Sequence, residues 1–209
     1  MTTDDRNHLM VAAIDFGTTY SGYAFSFRHD FKTDPLKIQA NPVWKSESRQ
    51  FMSLKTPTCL LLTKKQEFRA FGFEAENLYV EALLEKEQDD FYYFHLFKMH
   101  LHNNENITCD MELEDITGEK KLKASTVFEM SIRALIDHLI AEIDKQGAPV
   151  HPDEIQWVLT VPAIWTDTAK EFMRKSAEKA GIKRNKLLLA LEPETASIFC
   201  QYLSIEKLK

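Results

Sequence analysis

The stretch VAAIDFGTTYSGYAFSF, residues 11–27, decides the fold. Val11 to Phe16 is an apolar run carrying Asp15 near its end and closed by Gly17. Tyr23 to Phe27 alternates small and aromatic side chains after Gly22, so two strands joined by a tight turn are predicted. A carboxylate at a strand's end, followed by a glycine- and hydroxyl-rich turn, suits phosphate. Such a turn presents successive backbone N–H groups as an anion-binding nest, and threonine hydroxyls add donors. Asp15 can then hold a hydrated magnesium ion, which keeps several waters and meets protein through one or two carboxylates. The same residues also suit an ordinary hairpin turn, since short motifs recur by chance.

Outward from this hairpin, Pro57 to Thr63 and Phe68 to Phe73 are short apolar runs separated by Lys64-Lys65-Gln66-Glu67, and a second hairpin is predicted. From Glu74 to about Leu101 the pattern reads as helical. Polar, turn-prone stretches at Asn103 to Asn106 and Asp115 to Lys121 mark a small, variable insertion. Thr126, with Glu129 three residues on, reads as a capping box. Phe128, Ile132, Leu135, Leu139 and Ile143 follow at helical spacing, and Gly147 and Pro149 end the helix. Ile155 to Val161 is a buried-strand pattern, Thr168 to Ala180 a helix closed by Gly181, and Leu187 to Leu191 a further strand. Pro193 opens a last helix. Strands alternating with helices after an antiparallel opening predict an α/β fold, a mixed sheet flanked by helices.

The bulk numbers exclude several classes. With 209 residues, 44% of them hydrophobic and 28% charged, a sizeable core is possible. A net charge of -6 argues against nucleic acid or an anionic membrane as partner, because such binding needs a basic face. The start, Met1 to His8, is polar, and no apolar run reaches the roughly 18 residues of a bilayer-spanning helix, so neither a leader nor a membrane span is expected. Cys59, Cys109 and Cys200 lack close spacing and suit reduced thiols with no disulfide partner. The sequon at Asn106-Ile107-Thr108 is expected to stay unmodified in a cytosolic chain. His95, His100 and His102 cluster in sequence without a second ligand group at a recognised interval, and suit a polar loop better than a metal site.

The segment from Asp15 to Gly22 resembles the first phosphate motif of the actin, sugar-kinase and 70-kDa heat-shock-chaperone superfamily. Val161-Pro162-Ala163-Ile164-Trp165, with the helix after it, resembles that superfamily's first connecting motif. Leu191-Glu192-Pro193-Glu194-Thr195-Ala196 resembles the segment opening its next helix, and the three occur in the family's order and spacing. Ile14 to Thr19, Phe97-Lys98-Met99, Val161 to Trp165 and Ala190 to Ser197 look like the divergent heat-shock protein 12A/12B-like branch.

This resemblance implies a ribonuclease H-like, actin-like ATPase lobe with a five-stranded type of mixed sheet. Residues 1–209 would form the first, N-terminal lobe of a nucleotide-binding domain, with its core at 9–40 and 122–209 and a smaller inserted subdomain at about 41–121. It implies ATP or ADP with Mg2+ as cofactors. Asp15 would be the carboxylate behind magnesium, and Gly17, Thr18, Thr19 and Tyr20 the turn on the β and γ phosphates. Lys98 would reach the terminal phosphate and stabilise charge during phosphoryl transfer; its alternative is a solvated surface lysine. Glu192 would contact a magnesium-bound water or orient the attacking one; its alternative is an acid favoured by a helix dipole. Pro162 and Lys170 match the family's relay between nucleotide and substrate halves, with lysine in place of a planar arginine.

In that family the nucleotide lies between two lobes. No second aspartate-glycine turn follows Thr195, so the second lobe and the substrate-binding domain are expected to be absent, and hydrolysis by this chain alone is not expected. Client or co-chaperone proteins are the implied partners, and the expected location is the cytoplasm, with the nucleus open. Two other readings stand beside this one: a non-enzymatic interaction or scaffold module, and a small-metabolite kinase of the same superfamily.

Overall fold

In the computed structural model, residues 8–40, 44–45, 52–102, 104, 106–108 and 110–202 are described. Residues 1–7 of the polar start, Asn103 and Glu105 of the predicted turn, and Cys109 lie outside the described residues. In chain order the elements begin with β1 (Met10–Phe16), β2 (Tyr20–Phe27), α1 (Arg28–Thr33), β3 (Gln39–Ala40), β4 (Trp44–Lys45), β5 (Met52–Ser53) and β6 (Thr56–Pro57). Then come β7 (Cys59–Thr63), β8 (Phe68–Phe71), α2 (Phe73–Glu85), β9 (Phe91–His95), β10 (Glu112–Glu114) and β11 (Lys121–Lys123). The rest is α3 (Ala124–Lys145), β12 (Ile155–Val161), α4 (Asp167–Lys179), β13 (Leu187–Leu191) and α5 (Glu192–Tyr202).

The predicted mixed sheet is present. Its order is β13-β12-β1-β2-β3, with β6 added against the start of β2, six strands among the described residues where five were expected. β1 runs antiparallel to β2 and parallel to β12, from Met10 opposite Ile155 to Ile14 opposite Leu159. β12 runs parallel to β13, from Trp157 opposite Leu187 to Val161 opposite Leu191. Met10, Ala12, Ile14 and Phe16 alternate onto one buried face of β1, as the period-2 geometry of a strand requires. Over that face lies α3, whose Phe128 ring meets Phe16 at 5.8 Å, Phe97 at 5.1 Å and Phe172 of α4 at 5.3 Å. This aromatic junction lies directly behind the turn between β1 and β2. Burying a ring such as Phe128 contributes about 1.5–3 kcal/mol.

A smaller sheet, β8-β7-β9, lies between two helices. Leu60, Leu62, Phe71 and Phe94 join the main core, while Cys59, Leu61, Ala70 and Tyr93 pack with Ala75 and Tyr79 of α2. The hairpin predicted from Pro57 to Phe73 is therefore present, but Pro57 belongs to β6 and Phe73 already begins α2. The helical reading of Glu74 to Leu101 holds only as far as Glu85. Phe91 to His95 is a strand, because its aromatic run pairs with β7 and stacks Tyr93 on Tyr79 at 4.4 Å. The turn-prone 115–121 stretch closes a short β10–β11 hairpin.

α3 starts at Ala124, not Thr126, and has no side-chain cap. β11 feeds straight into it, and the Met111 carbonyl takes the Ala124 N–H at 2.7 Å, one of the helix's unpaired first-turn donors. α4 does carry a side-chain cap: Thr166 Oγ1 accepts from the Ala169 N–H at 3.2 Å. Gly181, at φ +101°, stands just past its end, as predicted.

Candidate phosphate site at the strand ends

β1, β12 and β13 are parallel and end side by side, presenting Asp15 and Phe16, Thr160 and Val161, and Leu191 followed by Glu192. In open α/β sheets this carboxyl edge is where ligands bind, in the crevice outside the strand ends. The turn after β1 is tight enough to require glycine. A β-carbon on Gly17 would lie 2.1 Å from the Tyr20 carbonyl oxygen. Thr58 braces the turn from beneath: its N–H donates to the Thr19 carbonyl at 2.8 Å and its Oγ1 to the Gly17 carbonyl at 2.9 Å, with Ser21 Oγ 2.7 Å away. A planar trans peptide points its N–H opposite its C=O. Holding these two carbonyls therefore turns the N–H groups of Thr18 and Tyr20 away from Thr58, as a nest for an anion demands.

Asp15 is 41% exposed and held at both oxygens. Thr160 Oγ1 donates to Oδ1 at 3.1 Å, and the Lys55 ammonium lies 2.6 Å from Oδ2. Lys98 is 3% exposed, which removes the surface-lysine alternative. Its ammonium donates to the Phe16 carbonyl at 2.5 Å and to Glu192 Oε1 at 3.1 Å, and it stands 5.0 Å from the centre of the Trp165 ring. Leu96, left-handed at φ 52°, redirects the chain out of β9 into the short 3-10 turn Phe97–Leu101 that carries this lysine. Burial holds the Lys98 ammonium below the usual lysine pKa, opposed by the Glu192 carboxylate. Glu192 is the first residue of α5, which suits the helix-start reading, and it is also Lys98's partner.

The structure thus brings Asp15, Gly17, Thr18, Thr19, Lys98 and Glu192 to one edge. Tyr20 differs: it is the first residue of β2, opposite Pro57, with its side chain exposed. Pro162 follows the end of β12, and its carbonyl accepts from the Trp165 N–H at 3.4 Å. Lys170 lies a turn into α4, where its ammonium faces Asp167 at 3.9 Å. Sequence reasoning missed Lys55, Thr58 and Thr160. Thr160 had a signal, a hydroxyl in the otherwise apolar end of IQWVLTV, whereas Lys55 had none. Among the described residues no group of three or more His, Cys, Asp or Glu could hold a metal ion.

No family model matches the chain. Curated relatives do. It is 41% identical over 204 residues to human heat shock 70 kDa protein 12B, covering 95% of this chain and 29% of that protein. It is 36% identical over 211 residues to the human and mouse heat shock 70 kDa protein 12A, covering 99% of this chain and 30% of each. The chain therefore spans under a third of the length of these relatives. With identity of this level over nearly the whole of its length, the chain belongs to the heat shock 70 kDa protein 12A/12B branch.

Proposed function

We propose that this chain is the phosphate- and magnesium-binding lobe of a heat-shock-chaperone-type ATPase domain, with a ribonuclease H-like core and residues of about 41–121 as its inserted subdomain. One observation carries the reading. Three parallel strands deliver a half-exposed carboxylate, a glycine turn braced by Thr58, and a buried Lys98–Glu192 pair to a single edge. A hairpin turn needs none of these partners.

The donor set fits hydrated magnesium. Asp15 is fixed by Thr160 yet reaches solvent, and a cation that keeps most of its waters needs only one or two carboxylates. When bound, magnesium would neutralise phosphate charge beside Asp15. The chain's own residues do the rest: Gly17 lets the turn close, the N–H groups of Thr18 and Tyr20 receive phosphate oxygens, and Lys98 holds positive charge where it builds up in transfer. Glu192 fixes the direction of that ammonium. Thr19 and Tyr20 are exposed, so turnover depends on a facing wall that excludes water, which this segment does not supply by itself. Pro162 and Lys170, at the end of β12 and on the helix after it, would relay nucleotide state toward a substrate-binding half.

The test is Asp15→Ala, followed by calorimetric titration with ATP in magnesium and in chelator. Magnesium is expected to improve affinity for the native chain and to give no gain for the variant, with an unchanged near-ultraviolet dichroism spectrum. A variant that keeps the native magnesium gain overturns the assignment.

A further inference from the structure

At the same edge, two ammonium groups stand against two carboxylates. Lys98 is paired with Glu192, and Lys55 with Asp15. The second pair is built into the sheet. Asp15 lies opposite Gly22 across the β1–β2 ladder, and a β-carbon on Gly22 would come within 3.1 Å of Lys55 Cγ and 3.0 Å of the Leu54 carbonyl. The missing side chain at Gly22 is what lets the Lys55 stem cross β2 and reach the carboxylate on the neighbouring strand. Lys55 also sits one residue before β6, whose pairing with Tyr20 and Ser21 fixes its start on the sheet. Its N–H donates to Ser53 Oγ at 3.1 Å, tightening the bend that aims it.

We infer that Lys55 is a second phosphate-binding cation, a tethered stand-in for the metal at Asp15 that gives the site affinity for polyphosphate when divalent cation is scarce. This rests on the proposed phosphate site. The Lys55 ammonium lies 2.6 Å from Oδ2 of the part-exposed carboxylate, and Thr160 holds the other oxygen. Lys55 is half exposed, so its long stem can swing its charge from the carboxylate to an incoming phosphate oxygen without disturbing the sheet. Without divalent cation the ammonium makes a charge-assisted hydrogen bond to phosphate; when a hydrated cation takes Asp15 it supplies that positive charge itself, and Lys55 no longer adds to binding. The charge of Lys55 also reaches Lys98, where it adds to the depression caused mainly by burial.

The experiment titrates inorganic tripolyphosphate into the native chain, Lys55→Met, Lys55→Arg and Gly22→Ala, each with magnesium and with chelator. The native chain is expected to keep binding in chelator, weakened about tenfold relative to magnesium. Lys55→Met should lose roughly a further tenfold in chelator alone, the worth of one charge-assisted bond, so that its metal dependence reaches about a hundredfold. Lys55→Arg should stay near native, and Gly22→Ala, which displaces the stem, should behave like Lys55→Met. Equal metal dependence in native and Lys55→Met chains overturns the role of Lys55 while leaving the phosphate site intact. Failure of the native chain to bind tripolyphosphate in either medium overturns the phosphate site itself, and this inference with it.

Discussion

Replacing Gly17 by alanine tests the turn with the least chemistry added. The new β-carbon would stand 2.1 Å from the Tyr20 carbonyl oxygen, whereas such contacts do not fall below 3.0 Å, so the turn must open by nearly an ångström. The obstacle is backbone at the start of β2, pinned by pairing with β6, and no flexible side chain can move aside. Overpacking of this kind costs about 1–3 kcal/mol. In a chain of this size that lowers Tm by roughly 2–12 °C. The same shift drags the N–H groups of Thr18 and Tyr20 off their common centre, and a displacement near 1 Å at a positioned site costs about a hundredfold in function. At least a tenfold loss of tripolyphosphate affinity is therefore expected by calorimetry. Gly147→Ala is the control: its φ of +76° strains an alanine, but nothing lies within 4 Å of the added carbon and it is remote from the turn. It should lower Tm and leave binding alone. Native binding by Gly17→Ala would refute the claim that this glycine closes a phosphate nest.

Phe128→Ala should destabilise the chain by about 3–5 kcal/mol in denaturant melts, since its ring joins Phe16, Phe97 and Phe172; a loss under about 1 kcal/mol would contradict the packing. His138 accepts or donates at 2.6 Å with Tyr23 and stacks on Trp44 at 3.9 Å, and burial lowers its pKa below 6.5 against the opposing pull of Glu142. The fold therefore favours neutral imidazole, so its contribution is complete above 6.5 and declines as pH falls below it. The loss of stability between about pH 7 and pH 5.5 should be shallower in His138→Gln, and an identical slope would show that His138 does not carry it.

The strands that build the edge were legible because each is a short apolar run with clear punctuation. Gly17 closes β1, Pro162 follows β12, and Glu192-Pro193 follows β13. Asp15, Lys98 and Glu192 were legible only through their motifs, since their partners lie far off in sequence. The start of α3 was misplaced because its cap is the Met111 carbonyl, a backbone group that leaves no residue signature. β9 was hidden in an aromatic run that suits either helix or strand until β7 is placed beside it. Lys55 was illegible for a similar reason. Its meaning depends on a β-carbon missing from Gly22 and a carboxylate forty positions earlier.

The distances along the chain between the partners at this edge also govern its assembly. The β1–β2 hairpin is local and can close as soon as it leaves the ribosome, but Asp15 must wait 145 residues for Thr160, and Lys98 must wait 94 for Glu192. Closing such long loops is slow, and parallel pairing cannot begin before both strands exist. During synthesis the glycine turn is therefore made first and completed last. Its acidic residue spends that interval without the hydroxyl that later fixes it, and the Phe16 and Phe128 rings wait for α4 to cover them. Nascent chains paused before β12 emerges would be the ones most in need of a holdase.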